Sequence, residues 1–258
     1  MLTDGGVVSL VGAGGKTSLM FRLARELAND GETVLTTTTT KIYEPSPDQA
    51  TYVILAASAS GLMEQAREPL KNQPHICAAA VRLPELGKLG GFLPETIDDI
   101  RNSRLFKWII VEADGAAGRP LKVPADHEPV IPACTTHLVG LVGLNGVGRP
   151  LNDQWVFRGR QFLELTGLEP DAEITAAVVS NILVDKNGIF KRAPVEAVRI
   201  AFCNQADVPP NFEAGQRIAQ ILRKRKNTGL RRLIIGQALC DPPILEVYDL
   251  NAKFESDD

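Results

Sequence analysis

The stretch Gly12-Ala13-Gly14-Gly15-Lys16-Thr17-Ser18 constrains this chain more than any other. An apolar run, Val7 to Val11, precedes it, and an amphipathic segment, Leu19 to Ala28, follows. Strand, glycine-rich turn and helix are expected in that order. A phosphate bound at such a junction needs inward-pointing backbone N–H groups, which glycines permit because they tolerate positive φ. It also needs the positive end of a helix dipole. Lys16 would reach the β and γ oxygens, and the Thr17 hydroxyl would meet Mg²⁺. Gly12, Ala13, Gly14, Gly15, Lys16, Thr17 and Ser18 are therefore the expected phosphate site, with Lys16 also catalytic and Thr17 also a metal ligand.

The long P-loop pattern puts a glycine at the position of Leu10, whereas the first glycine here is Gly12, four residues before Lys16. The loop is shortened and resembles the G-x-x-G-K-T turn of the Mur ligase group. Two other readings stay open. One is a plain glycine-rich turn with a solvated lysine. The other is a dinucleotide fingerprint, for which Gly12 and Gly14 fit but Thr17 stands where the third glycine belongs. That fingerprint also wants an acid at the end of the second strand. The second strand here runs into Thr36-Thr37-Thr38-Thr39-Thr40-Lys41, with no carboxylate until Glu44.

A second constellation follows an apolar run. Trp108-Ile109-Ile110-Val111-Glu112-Ala113-Asp114-Gly115 has the form of a Walker B strand. The carboxyl ends of parallel strands face the ligand crevice, and Glu112 and Asp114, two apart, point the same way on an extended chain. Both are expected metal ligands beside Thr17, with Asp114 also catalytic. The same acids could instead be a last core residue and a turn cap. Beyond them, Arg119 and Lys122 are expected to neutralise charge on a transferred phosphoryl group, against a bland reading as solvated loop charges. Lys122, Asp126, His127 and Glu128 offer acid–base chemistry, or a rigid proline-rich loop. Thr39, Thr40 and Lys41 are expected to face the crevice from a strand next to the first.

Phe202-Cys203-Asn204-Gln205-Ala206-Asp207 resembles the N-K-x-D element of GTPases, with Gln205 for the lysine. Asn204 would support the loop and Asp207 would accept hydrogens from a base edge. Asn and Asp are also common turn residues after a strand.

The chain has 258 residues, 44% hydrophobic and 23% charged, as globular proteins do. Alternating strand and helix patterns predict an α/β fold, a mostly parallel sheet flanked by helices of P-loop NTPase type. A single nucleotide-binding domain over 1–258 is expected, with a small helical insertion at about 155–194. No regular element is expected between Gly115 and Pro132, and Ser256-Asp257-Asp258 is expected to fray. The net charge of −3 and 5% aromatic content give no reason to expect nucleic acid or an anionic membrane as partner. Cys77, Cys134, Cys203 and Cys240 form no C-x-x-C pair, and the three histidines add no metal-ligand spacing. A cytoplasmic protein without a leader or membrane span is expected.

Taken together, Val11 to Ser18, Thr36 to Lys41, Val111 to Gly115, Leu121 to Pro132, Gly140 to Gly148 and Asn204 to Asp207 resemble the YqeC family, accessory proteins of selenium-dependent molybdenum hydroxylases. The resemblance implies a role in making or loading a molybdenum- or selenium-containing cofactor, with a molybdenum hydroxylase or its maturation proteins as partners. The motifs themselves imply ATP or GTP, Mg²⁺ and hydrolysis or phosphotransfer. A small-molecule kinase or ATP-dependent ligase, and a regulatory module that binds nucleotide without turnover, are the competing functions.

Overall fold

The computed structural model describes residues 5–250; the Ser256–Asp258 tail lies outside them. In chain order, β1 (Gly6–Gly12) feeds α1 (Lys16–Asn29), followed by β2 (Val34–Thr38), β3 (Lys41–Tyr43) and β4 (Val53–Leu55). Next come α2 (Ala59–Ala66), β5 (His75–Ala79), β6 (Val81–Leu83), β7 (Lys88–Gly90), α3 (Pro94–Asn102) and β8 (Trp108–Glu112). The middle holds β9 (Leu121–Lys122), β10 (His137–Gly143), β11 (Val156–Phe157), α4 (Gly159–Thr166) and α5 (Ala176–Val184). The chain then forms β12 (Val198–Asn204), α6 (Pro209–Arg223), β13 (Arg232–Gly236) and β14 (Ile244–Asp249).

Among the described residues, nine strands make one sheet in the order β14-β13-β12-β10-β1-β8-β2-β5-β4. Every pairing is parallel except β13 with β14. This is the expected α/β class. β1 is buried along its whole length, so both of its faces must be covered. Its side chains alternate accordingly. Val8 and Leu10 pack with Met20, Phe21 and Ala24 of α1 on one face. Val7 and Val11 meet the opposite face, where α2 and α3 cover one half and α5 and α6 the other.

Because the strands are parallel, their carboxyl ends share one edge. Register puts Glu112 beside both Leu10 and Thr38, and Asn204 beside Gly143. The glycine-rich turn, the acidic strand end and the asparagine turn are thus delivered to one crevice rim. Two expectations need correction. The threonine strand β2 is not next to β1, because β8 pairs with both and lies between them. The proline-rich 115–132 segment does contain a short strand, β9, paired with β11. The helical stretch at 155–194 lies within the crossover from β10 to β12, and its Phe162, Val179 and Ile182 share a core with Leu138 and Ala201.

Cys77 and Cys203 are buried thiols, pushed by burial to about 11 and about 12. No described helix is long and apolar enough to cross a membrane. His75, on β5, donates to or accepts from the Thr36 hydroxyl at 2.9 Å, and burial lowers its pKa to about 4. An unfolded histidine protonates near 6.5, so between those values the unfolded chain takes up the extra proton and acid favours unfolding. The full stability is present above pH 6.5 and is lost as pH falls toward 4. Relative to wild type, His75→Gln should flatten urea-melt stability across that window, by on the order of 2–3 kcal/mol at its acid end.

Candidate nucleotide-binding site

The turn after β1 is built from close backbone approaches. Gly12, Gly14 and Gly15 have φ of 89°, 84° and 112°. A Cβ on Gly12 would lie 2.3 Å from the Leu141 carbonyl oxygen, and one on Gly14 would lie 2.2 Å from the Gly143 nitrogen. Both glycines are therefore required by the neighbouring strand β10 as well as by their dihedrals. The N–H groups at the start of the turn are already engaged. Gly12 donates to Asp114 Oδ2 (3.1 Å), Ala13 to the Leu141 carbonyl (3.0 Å) and Gly14 to the Arg119 carbonyl (3.2 Å). The next four, on Gly15, Lys16, Thr17 and Ser18, have no acceptor among the described residues. They open the 14-residue α1 and form an anion-seeking concavity at its positive end.

The predicted phosphate residues therefore divide in two. Gly15 to Ser18 offer free amides, while Gly12, Ala13 and Gly14 spend theirs on shaping the turn. In this conformation they are scaffold rather than direct phosphate donors.

Lys16 is 4% exposed. Its ammonium donates to the Gly12 carbonyl (2.6 Å) and lies 3.2 Å from Asp114 and 4.0 Å from Glu112. The Thr17 hydroxyl donates to Glu112 Oε2 at 2.7 Å. Lys16, Thr17, Glu112 and Asp114, separated by nearly 100 residues in sequence, thus converge as the Walker-type pattern requires. Burial raises the Glu112 pKa above the carboxylate range, while the Lys16 charge and the Thr17 hydroxyl oppose the rise. A divalent cation would relieve the same penalty, so Thr17 and Glu112 fit Mg²⁺.

Other predicted residues sit elsewhere. Lys122 was expected to reach a phosphoryl group. It is fully buried instead, with its ammonium on the Gly115 carbonyl (2.7 Å), Glu128 (2.7 Å) and Asp114 (2.9 Å). The first two are hydrogen bonds and the third an ion pair, so the Lys122 charge is already engaged inside the protein. Glu128 also accepts two hydrogen bonds from Arg158, at 2.6 and 3.0 Å. It is thereby a structural anion rather than an acid–base group. Sequence reading missed Arg158, because nothing at position 158 signals its partner 30 residues upstream. Arg119 is exposed, on a turn whose carbonyl receives the Gly14 N–H. His127 and Asp126 are exposed.

Thr39 donates to the Val130 carbonyl (2.6 Å), and Thr38 donates to the Glu112 carbonyl (2.7 Å). The threonine run thus pins the end of β8. Lys41 is exposed on β3.

Asn204 spans two segments, as its predicted loop-supporting role requires. Its Nδ2 donates to the Gly14 carbonyl (2.7 Å), and its Oδ1 accepts from the Ala238 N–H (2.8 Å). Both ends of its amide are used, whereas Asp207 is exposed in the loop before α6.

The YqeC protein family model matches residues 8–160. Uncharacterized protein YqeC of Escherichia coli strain K12 is 33% identical over 218 residues, spanning 84% of this chain and 83% of that one. The chain belongs to the YqeC family. Among solved structures, it is similar to the signal recognition particle 54 kDa protein from Aeropyrum pernix K1 in complex with GDP. That match has 15% identity and a TM-score of 0.44, covering 96% of this chain and 45% of that one. FtsY from Mycoplasma mycoides matches at 11% identity and a TM-score of 0.41, covering 95% and 63%. Both likenesses are distant, and the chain spans less than two thirds of either protein.

Asn204→Ala should leave a buried carbonyl and a buried N–H unpaired. The expected loss of stability is about 2–4 kcal/mol in urea denaturation. A loss below about 0.5 kcal/mol, within the range of surface substitutions, would mean that Asn204 does not brace the turn.

Proposed function

We propose that this member of the YqeC family binds a nucleoside triphosphate, ATP or GTP, with Mg²⁺ at the carboxyl edge of β1, β8, β10 and β12. It then hydrolyses or transfers the γ-phosphate. One observation carries this reading: four consecutive unpaired amides, Gly15 to Ser18, lie at the head of α1 beside a buried lysine. Lys16 answers only to one carbonyl and two carboxylates, so it is a charge held ready for an anion.

Gly15, Lys16, Thr17 and Ser18 receive the phosphate oxygens, and Lys16 neutralises the terminal ones. Thr17 and Glu112 would hold Mg²⁺, while Asp114 stays with the lysines; the ion would supply charge neutralisation on the phosphates. Asp114 faces Lys16 through an oxygen that accepts no hydrogen bond, and it is available to orient a nucleophile. Arg119, exposed on the adjoining turn, stabilises charge on the phosphoryl group in transit. Asp207 accepts from the base while Asn204 holds the loop. Family membership supports assigning the turnover to maturation of a selenium-dependent molybdenum hydroxylase, through that enzyme or the proteins that build its cofactor.

A nucleotide that binds only the folded state raises its melting temperature by mass action, by about 2.7 kcal/mol of stability at a hundred times Kd. Thermal melts with Mg·ATP and Mg·GTP should show that rise for wild type with at least one nucleotide. Lys16→Ala should abolish it. Glu112→Gln should make the rise independent of Mg²⁺. Wild-type melts unmoved by both nucleotides, or an undiminished rise in Lys16→Ala, would refute the proposal.

A further inference from the structure

We infer that Lys122 is a positioning residue that takes over the Asp114 carboxylate when Lys16 leaves it for phosphate. The inference rests on the nucleotide reading and deepens it. Glu112, Lys16, Asp114, Lys122, Glu128 and Arg158 form a chain of alternating charge from the phosphate turn to the start of α4. The four central members are buried, with Lys122 and Asp114 side chains 0% and 2% exposed. A carboxylate at that depth is costly unless a cation stays with it.

Asp114 is divided between two lysines. Its Oδ1 faces Lys16 at 3.2 Å, whereas its Oδ2 takes Lys122 at 2.9 Å and the Gly12 N–H at 3.1 Å. Lys16 can therefore turn to a phosphate without stranding the acid. Lys122 is in turn free to serve Asp114, because Arg158 grips both oxygens of Glu128. With Lys16 gone, the remainder resolves into two complete pairs, Asp114 with Lys122 and Glu128 with Arg158. Pairing of β9 with β11 places Phe157 opposite Lys122 and holds the two halves of this chain together.

Without Lys122, Lys16 would be the only cation on Asp114 and would be locked there. Titration calorimetry of the full chain with Mg·ATP and Mg·GTP tests this. Lys122→Met should weaken binding by about 100-fold, since nucleotide must then strand a buried charge. In an Asp114→Asn background the same change should cost no more than about threefold, because no charge remains to strand.

Arg158→Met covers a Lys122→Met chain that does not fold or an Asp114→Asn chain that does not bind. It should weaken binding by about fivefold, and adding Glu128→Gln should restore it. Lys122→Met or Arg158→Met binding within about twofold of wild type, or an equal loss in the Asp114→Asn background, overturns the inference alone. A wild-type chain that binds neither nucleotide overturns the nucleotide reading and this inference with it.

Discussion

The Asp114 carboxylate holds the candidate site together. Three groups from distant parts of the chain meet on it: the Gly12 N–H that begins the turn donates to it, and the Lys16 ammonium at the head of α1 and the Lys122 ammonium from β9 pair with its charge. Each contact fixes a different element relative to β8. The turn cannot drift from the acidic strand end while Gly12 is bound there. The 115–122 loop cannot peel away while Lys122 is held by Asp114 and by the Gly115 carbonyl at its own base.

A buried charge network of this kind is a poor source of net stability. Desolvation of each ion roughly cancels the attraction, and well-packed apolar side chains of similar volume often do as well. Its physical consequence here lies in its asymmetry. A lysine that packed against hydrocarbon would have no cause to point at the turn. Lys16, engaged by a carbonyl and two acids, is already beside the free amides. Glu112 contributes in the same sense, since burial works against its charge, and the Lys16 ammonium first, then the Thr17 hydroxyl and the Lys122 ammonium, counter it. The site is electrostatically tense without a cation and eased by one.

Much of this was legible in the sequence, for reasons that differ by element. The β1–turn–α1 unit is local: glycines, a lysine and an apolar strand within a few residues carry their own geometry. Glu112 and Asp114 were readable because a parallel strand delivers its last residues to a common edge whatever its neighbours are. Strand order was not readable. Whether β2 or β8 lies next to β1 depends on long-range pairing, and the β-branched threonines carry no signal of it. The role of Lys122 was misread because a lysine near phosphates suggests contact, whereas its partners Glu128 and Arg158 are recruited by the β9–β11 pairing of two-residue strands too short to leave a periodic pattern. β14 was missed altogether: at the sheet edge Ile244, Val247 and Asp249 are exposed and Leu245, Glu246 and Tyr248 half-buried, with no regular two-residue alternation to read.

The shortened loop also has a structural logic. In the long pattern a glycine at position 10 would open the turn early. Here Leu10 stays in the sheet, fully buried and in register with Glu112 on one side and Val139 on the other. The strand runs on to Gly12, which still pairs with Leu141. The turn must then complete itself in fewer residues. It does so by leaning on its surroundings: Ala13 on the Leu141 carbonyl, Gly14 on the Arg119 carbonyl, and the Gly14 carbonyl on Asn204. Glycine at 14 lets the turn lie directly against the Gly143 backbone, where any side chain would collide. A long loop can curl its own amides around an anion, whereas this one is held open from outside, so its shape depends on β10, β12 and the Arg119 turn. Residues as distant as Asn204 therefore help to shape the candidate phosphate site even where they would touch no phosphate.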